Sequence, residues 1–251
     1  MLRNNQHSKI AIGIMLTILV ASIYAILSIP KQTNANWVMV QDHLDNEKKI
    51  AYYGNMDMGY PYGILEYNHH SLQGIDEYKK YSELKGKELV SKEVKELYVW
   101  VTFRQALMPA DFSQWVAKYQ MQDIGYTIRV YGKDGARITM GGGPSEVELV
   151  PVDELETAMS QLQEKESNLA KLGGIFEVKG VVTAENYLAL LADPRVYLVD
   201  VTGTLIYYHP DFQAQSDLTW EQFTQEFQMM RTDGSLYWFL EDFGIAKMGA
   251  D

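Results

Sequence analysis

The chain has 251 residues, with 22 basic and 33 acidic side chains, a formal net charge of -11 and no cysteine. Without cysteine there are no disulfides, no thiolate nucleophile and no cysteine-held zinc or iron–sulfur site. Its acidity repels phosphate backbones and argues against a nucleic-acid partner.

Apolar residues make up 47% and charged residues 22%, proportions at which a chain folds around a core. With no disulfides available, that core must supply the stability of any exported part, which a chain of this size can bury.

The N-terminal stretch KIAIGIMLTILVASIYAILSIPK holds an uncharged run from Ile10 to Ile29. A helix of about 20 residues spans the roughly 30 Å hydrocarbon core of a bilayer. Arg3 and Lys9 precede the run; Lys31 follows it but soon gives way to Asp42, Asp45 and Glu47. The positive-inside rule then places residues 1–9 in the cytoplasm, makes 10–29 a transmembrane signal anchor and exports the rest. A cleaved signal peptide, cut near Ala35, is the competing reading, although its apolar region is normally only about 7–15 residues. Residues 30–36, PKQTNAN, form a polar linker.

Residues 37–95 read as an N-terminal α/β extension. WVMVQ and GILEY are strand-like, and YYGNMDMGYPYG between them has the composition of a loop. Leu72, Ile75 and Tyr78 mark one face of a short helix, which Gly86 is expected to interrupt.

The region 96–203 is more regular. LYVWVTF alternates, with Leu97, Val99, Val101 and Phe103 on one strand face and Tyr98 and Trp100 on the other. Pro109 opens a helix with Asp111 in its first turn, and Met108, Phe112, Trp115, Val116 and Tyr119 recur at helical spacing. GYTIRVYGKDGARITM reads as a hairpin turning at Asp134-Gly135. Asp153 and Glu156 suggest a capping box for a helix from about Asp153 to Lys171, ended by Gly173-Gly174. IFEVKGVV is a strand, and Ala184, Tyr187, Leu188 and Leu191 mark a helix. At Asp193-Pro194 that helix must stop, because proline disfavours helical geometry before it and donates no hydrogen bond. RVYLVDV, apolar on both faces, then reads as a central strand.

Two strand–helix–strand units make a ferredoxin-like α+β sandwich with an inserted helix. The expected whole is α+β: a transmembrane helix, this sandwich, and a helical tail over 204–251. In the tail, Thr219 with Gln222 fits a capping box and Leu218 with Phe223 a hydrophobic staple.

YLALLADPRVYLVD resembles the second half of the peptidase inhibitor I9 module, the subtilisin-propeptide type. YVWVTFRQALMPADFSQWVAKY is similar to its opening strand and helix. The resemblance covers residues 97–202, interrupted by the added helix. It implies a ferredoxin-like fold and action as an intramolecular chaperone and inhibitor of subtilisin-like proteases. Two departures bear on that function: no protease domain follows, and the segment that would enter a protease cleft, TGTLIYYHPDF, leads into a helical pattern.

Catalytic and metal motifs are weak. His69 and His70 are adjacent and point different ways on any regular element, so no metal site is expected. His209 and Asp211 flank Pro210 in a turn. Gly141 to Pro144 lacks the lysine and helix of a phosphate loop, and no Gly-x-Ser-x-Gly elbow occurs.

The expectation is therefore a membrane-anchored extracytoplasmic interaction or sensor protein without catalysis, cofactor or metal. A protease inhibitor or assembly factor of the I9 type is the alternative. The expected contact residues are aromatic: Tyr52, Tyr53, Tyr60, Tyr62, Trp238 and Phe239, which suit a protein partner or a carbohydrate.

Overall fold

A computed structural model describes residues 40–45, 50–55, 60–132, 135–165, 170–231 and 236–246. The run from Ile10 to Ile29, residues 166–169 of the helix expected to reach Lys171, and the turn residue Asp134 lie outside them. Among the described residues no helix is long and apolar enough to cross a membrane.

Strands β1 (Val40–Asp45), β2 (Ile50–Asn55) and β3 (Tyr62–Glu66) form an antiparallel meander. The YYGN stretch expected to be loop is therefore strand. Tyr52 and Tyr53 face Leu65 and Ile64 across the ladder, and pairing on both sides outweighs the loop-like composition.

Helix α1 (Leu72–Ser91) is capped by the Ser71 side chain, which accepts from the Gly74 N–H. Ile75 and Tyr78 are buried as expected, whereas Leu72 is exposed. Gly86 does not interrupt the helix. A Cβ there would lie 1.9 Å from Tyr187 Oη, so the glycine is where α1 lets that ring approach.

A second sheet holds β4 (Glu96–Leu107), β5 (Gln122–Tyr131), β6 (Arg137–Gly142), β7 (Lys171–Thr183) and β8 (Val196–Asp200). Their order is β6-β5-β7-β4-β8, and every neighbouring pair is antiparallel. Helix α2 (Pro109–Tyr119) connects β4 to β5, α3 (Val152–Lys165) connects β6 to β7, and α4 (Ala184–Leu191) connects β7 to β8.

The alternation in β4 sends its side chains into two cores. Leu97, Val99, Val101 and Phe103 pack with Phe112, Trp115 and Tyr119 of α2. Tyr98 joins Ile75, Tyr78, Phe212 and Phe223 on the other face. Both faces being covered explains why β4 is apolar almost throughout.

Several local expectations are corrected. Met108 and Leu188, placed on helix faces by spacing, are exposed. Helix α3 starts at Val152, so Asp153 lies inside its first turn and is not the cap. The Leu155 N–H donates to the Pro151 carbonyl instead. Gly173-Gly174 ends no helix: the pair lies within β7, where Gly174 has a φ of 104° and a Cβ would meet the Leu107 carbonyl oxygen at 2.7 Å. Close approach of β4 demands glycine there.

The strand after Asp193-Pro194 is also not central. β8 is the edge of its sheet. It is apolar on both faces because both cores reach it, and α1 covers its open edge. Ser82 Oγ donates to the Val199 carbonyl at 2.9 Å and accepts from the Val201 N–H at 3.2 Å, which satisfies edge groups that would otherwise offer a pairing template.

The tail holds helices α5 (Thr202–Tyr207), α6 (Pro210–Gln215) and α7 (Trp220–Glu226), strand β9 (Gln228–Arg231), and helix α8 (Leu236–Asp242). The capping box at Thr219 and Gln222 is present. The tail is not purely helical, since β9 runs parallel to β3 and completes a sheet of order β1-β2-β3-β9.

Helix α8 locks onto the β5–β6 hairpin through Glu241. Arg129 donates to it from Nε at 3.1 Å and pairs with it through Nη2 at 3.1 Å, both side chains being fully buried. Tyr131 Oη donates to it at 2.6 Å and Arg137 Nη1 at 3.3 Å.

Candidate functional site

Three strand irregularities meet at one end of the five-stranded sheet. Between the pairs Thr102↔Glu177 and Leu107↔Ile175, β4 carries Phe103 to Ala106 against the single residue Phe176 of β7. Between Thr102↔Leu198 and Phe103↔Val196, β8 carries Tyr197 as an extra residue. The third is the left-handed Gly174 of β7. Bulges of this kind bend the strand and re-aim its side chains. Here Arg104 turns outward to solvent, and the Ala106 N–H donates to Tyr237 Oη at 3.0 Å.

The irregularities wall a cleft of about 460 Å³, lined by Arg104 to Met108, Asp111, Gly173, Pro194, Arg195 and Tyr237. A recess of about 150 Å³ shares Arg104 and Pro194 with it and extends along β8 to Lys79 and Glu83 of α1. The Asp-Pro joint is thus a wall of this cleft as well as the stop signal of α4.

Two arginines border the cleft in different states. Arg195 is neutralised: its Nε donates to Asp193 Oδ1 at 3.1 Å and its Nη2 to Oδ2 at 2.7 Å. Tyr119 Oη donates to the same carboxylate at 2.7 Å. Burial alone raises the Asp193 carboxyl, but the hydrogen bonds from Arg195 and Tyr119 outweigh it and hold the group well below the usual carboxylate range.

Arg104 has no such counter-ion. Its guanidinium carbon lies 5.3 Å from the centroid of the Tyr197 ring, and Lys79 Nζ lies 5.0 Å from the same centroid. Among the described residues neither cation forms an ion pair. Burial lowers the Lys79 ammonium, the charge of Arg104 lowers it further, and Asp76 and Glu83 oppose both. Tyr197 Oη donates to Asp76 Oδ1 at 3.3 Å. Burial and then the Asp76 charge push that phenol up to about 12.

The aromatic residues expected to make contacts are distributed otherwise. Tyr52 and Tyr53 lie in β2, and their side chains lie outside the described residues. Tyr60 meets Tyr62 edge-on at 6.5 Å, and Tyr62 is buried. Trp238 lies over Arg137 at 4.8 Å, and its Nε1 donates to Thr139 Oγ1 at 3.2 Å. Phe239 packs on His69 at 4.7 Å. Trp238 and Phe239 thus help to seat α8.

His209 caps α6, with its Nδ1 accepting from the Asp211 N–H. Among the described residues no group of three His, Asp or Glu side chains is placed to hold a metal.

Arg104, Lys79 and Tyr197 were not singled out by spacing or motif. One signal was visible: the alternation of β4 breaks after Phe103, where Arg104-Gln105 interrupts an apolar strand. A polar break of that kind marks a bulge. Lys79 carries no comparable signal, because its role depends on where α1 packs.

No family model, no curated protein and no solved structure matches the chain.

Proposed function

We propose that the chain is a single-pass membrane protein whose C-terminal bulk is an extracytoplasmic interaction or sensor module without catalytic activity. The uncharged run from Ile10 to Ile29, with Arg3 and Lys9 before it and Lys31 soon followed by Asp42, Asp45 and Glu47 after it, supports the placement. The observation that carries the binding role is the cleft over Pro194: it joins an apolar wall of Leu107, Met108 and Pro194 to Arg104, which forms no ion pair among the described residues. Concave sites with a few oriented polar groups are where proteins take ligands.

Two experiments test the two halves. An epitope placed after Asp251 is expected to be reachable by antibody on intact cells. Epitope exposure only after lysis overturns the placement. Crosslinkers installed at Gln105 and Met108 of the displayed protein are expected to capture a reproducible partner or ligand. Capture no greater than from crosslinkers at Lys165, on the far helix α3, overturns the binding role.

The ferredoxin-like reading is supported by the order β8-β4-β7-β5, with α2 and α4 in the crossovers and β6 and α3 as additions. That order also favours a second functional reading, an I9-type protease inhibitor. Against it stands the chain after β8, which winds into α5 with Thr202, Gly203, Thr204 and Ile206 buried. An inhibitory tail there would have to unwind. Slowed cleavage of a peptide substrate by a subtilisin-like protease in the presence of the full chain would favour this second reading. Unchanged cleavage at every stoichiometry removes it.

A further inference from the structure

The cations around Tyr197 sit in a molecule of net charge -11. Several of its described basic groups pair with a carboxylate: Lys85 with Glu88, Lys87 with Glu83, Arg137 with Asp242, and Arg195 with Asp193. Lys79 and Arg104 form no ion pair among the described residues. They stand on one ring, and the charge of Arg104 acts against that of Lys79. Asp76 and Glu83 offset part of the charge on Lys79, but two like charges held close are still mutually unfavourable, and an anion bound by both relieves the repulsion.

The position fits a bound group. Arg104 lines both the cleft and the recess, so an anion at its guanidinium is reachable from either. Tyr197 is the bulged residue of β8, and its buried ring sets the spacing of the two cations. The apolar wall of Leu107, Met108 and Pro194 begins beside Arg104 and offers a surface for the body of an organic acid.

The geometry points to a carboxylate-binding site formed by Arg104 and Lys79 beside the Tyr197 ring, with the rest of the ligand lying in the cleft over Pro194. A guanidinium fork matches a carboxylate with two parallel hydrogen bonds. An isolated phosphate dianion fits less well: it has no body for the apolar wall, and Asp111 and the acidic surface repel it more strongly. This inference rests on the cleft being a binding site, and it adds the chemistry of what binds.

The test uses the full-length solubilised chain with three probes: fluorescein-labelled hexaglutamate followed by anisotropy, and citrate and inorganic phosphate followed by calorimetry. Hexaglutamate stands for an acidic segment of a protein and citrate for a small organic acid. At least one of them is expected to bind, with affinity falling as salt is added. Arg104→Ala and Lys79→Ala should each weaken that binding by about tenfold, while Lys165→Ala, which removes an exposed cation on α3, leaves it unchanged. Because Arg104 is exposed, its variant should unfold at the wild-type temperature, and Lys79→Ala gives an independent reading.

Binding of neither carboxylate probe, binding indifferent to both variants, or tighter binding of phosphate than of either carboxylate would each overturn the proposal. A partner captured by the cleft crosslinkers in those cases leaves the binding-module reading standing without its carboxylate. Carboxylate binding with no captured partner supports the site and favours a small-molecule ligand.

Discussion

The molecule contains two arginine–carboxylate joints of the same chemistry and opposite construction. Asp193 and Arg195 are two residues apart, and the arginine side chain is 42% exposed. Arg129 and Glu241 are 112 residues apart and both side chains are 0% exposed. The first lets the chain turn from α4 into β8. The second pins the last described helix to the β5–β6 hairpin. When one partner is removed, what matters is whether water can reach the one left behind.

Glu241→Ala should therefore have the largest effect. It leaves Arg129 charged and buried, with an expected loss of about 3–5 kcal/mol in urea unfolding. Replacing the pair together, as Arg129→Met with Glu241→Leu, should lose much less. Equal losses from the single and double variants would contradict the stranded-charge explanation.

Ser82→Ala tests a remote contact on the Asp193 side of the sheet. It strands the Val199 carbonyl and the Val201 N–H at the β8 edge, at an expected cost of about 1–3 kcal/mol. A neutral result would mean that water already serves that edge.

Asp193→Asn should cost less at neutral pH, about 1–2 kcal/mol, because water can replace the carboxylate at the half-exposed Arg195. Its pH dependence sharpens the comparison. The folded Asp193 carboxyl lies below its unfolded value, so its contribution is complete above the unfolded pKa of about 3.9 and is lost as pH falls through the folded one. Wild type and variant should converge in stability in strong acid and stay apart at pH 7. A constant gap down to strong acid would show that the hydrogen-bonded carboxylate is not its source.

Arg137→Ala should have the smallest effect. This side chain joins the Glu241 cluster from the rim at 19% exposure, and rim ion pairs contribute about 0–1 kcal/mol. A loss as large as that of Glu241→Ala would make the cluster a single cooperative unit.

The two joints also differ in how readable they were. Asp193-Pro194 announces itself, since proline acts on the residues beside it. Glu241 was one acid among 33, and only the packing of α8 selects it. The five-stranded sheet was legible for the same reason as the first joint. Alternation in β4, Pro109 and the Gly135 turn are local signals, and Gly135 does adopt a φ of 77°.

Gly86 and Gly173-Gly174 were misread because each owes its identity to a distant atom, Tyr187 Oη in one case and the Leu107 carbonyl in the other. β9 was missed because four residues beside β3 carry no period of their own. β8 was placed centrally because apolarity on both faces reports burial, and burial is conferred by α1 and the tail as effectively as by another strand.

By itself, then, the sequence determined the acidic, cysteine-free chemistry, the long apolar run near the start, and the strand–helix alternation of residues 96–201. These depend on composition, on proline and glycine geometry, and on periods of two and 3.6 residues. Only the tertiary structure decided that the tail completes a second sheet, that β8 is an edge sealed by Ser82, and that Arg104 and Lys79 stand beside the Tyr197 ring at an open cleft. Each of those joins residues far apart in the chain, and the period of a segment records which face is buried without recording what buries it.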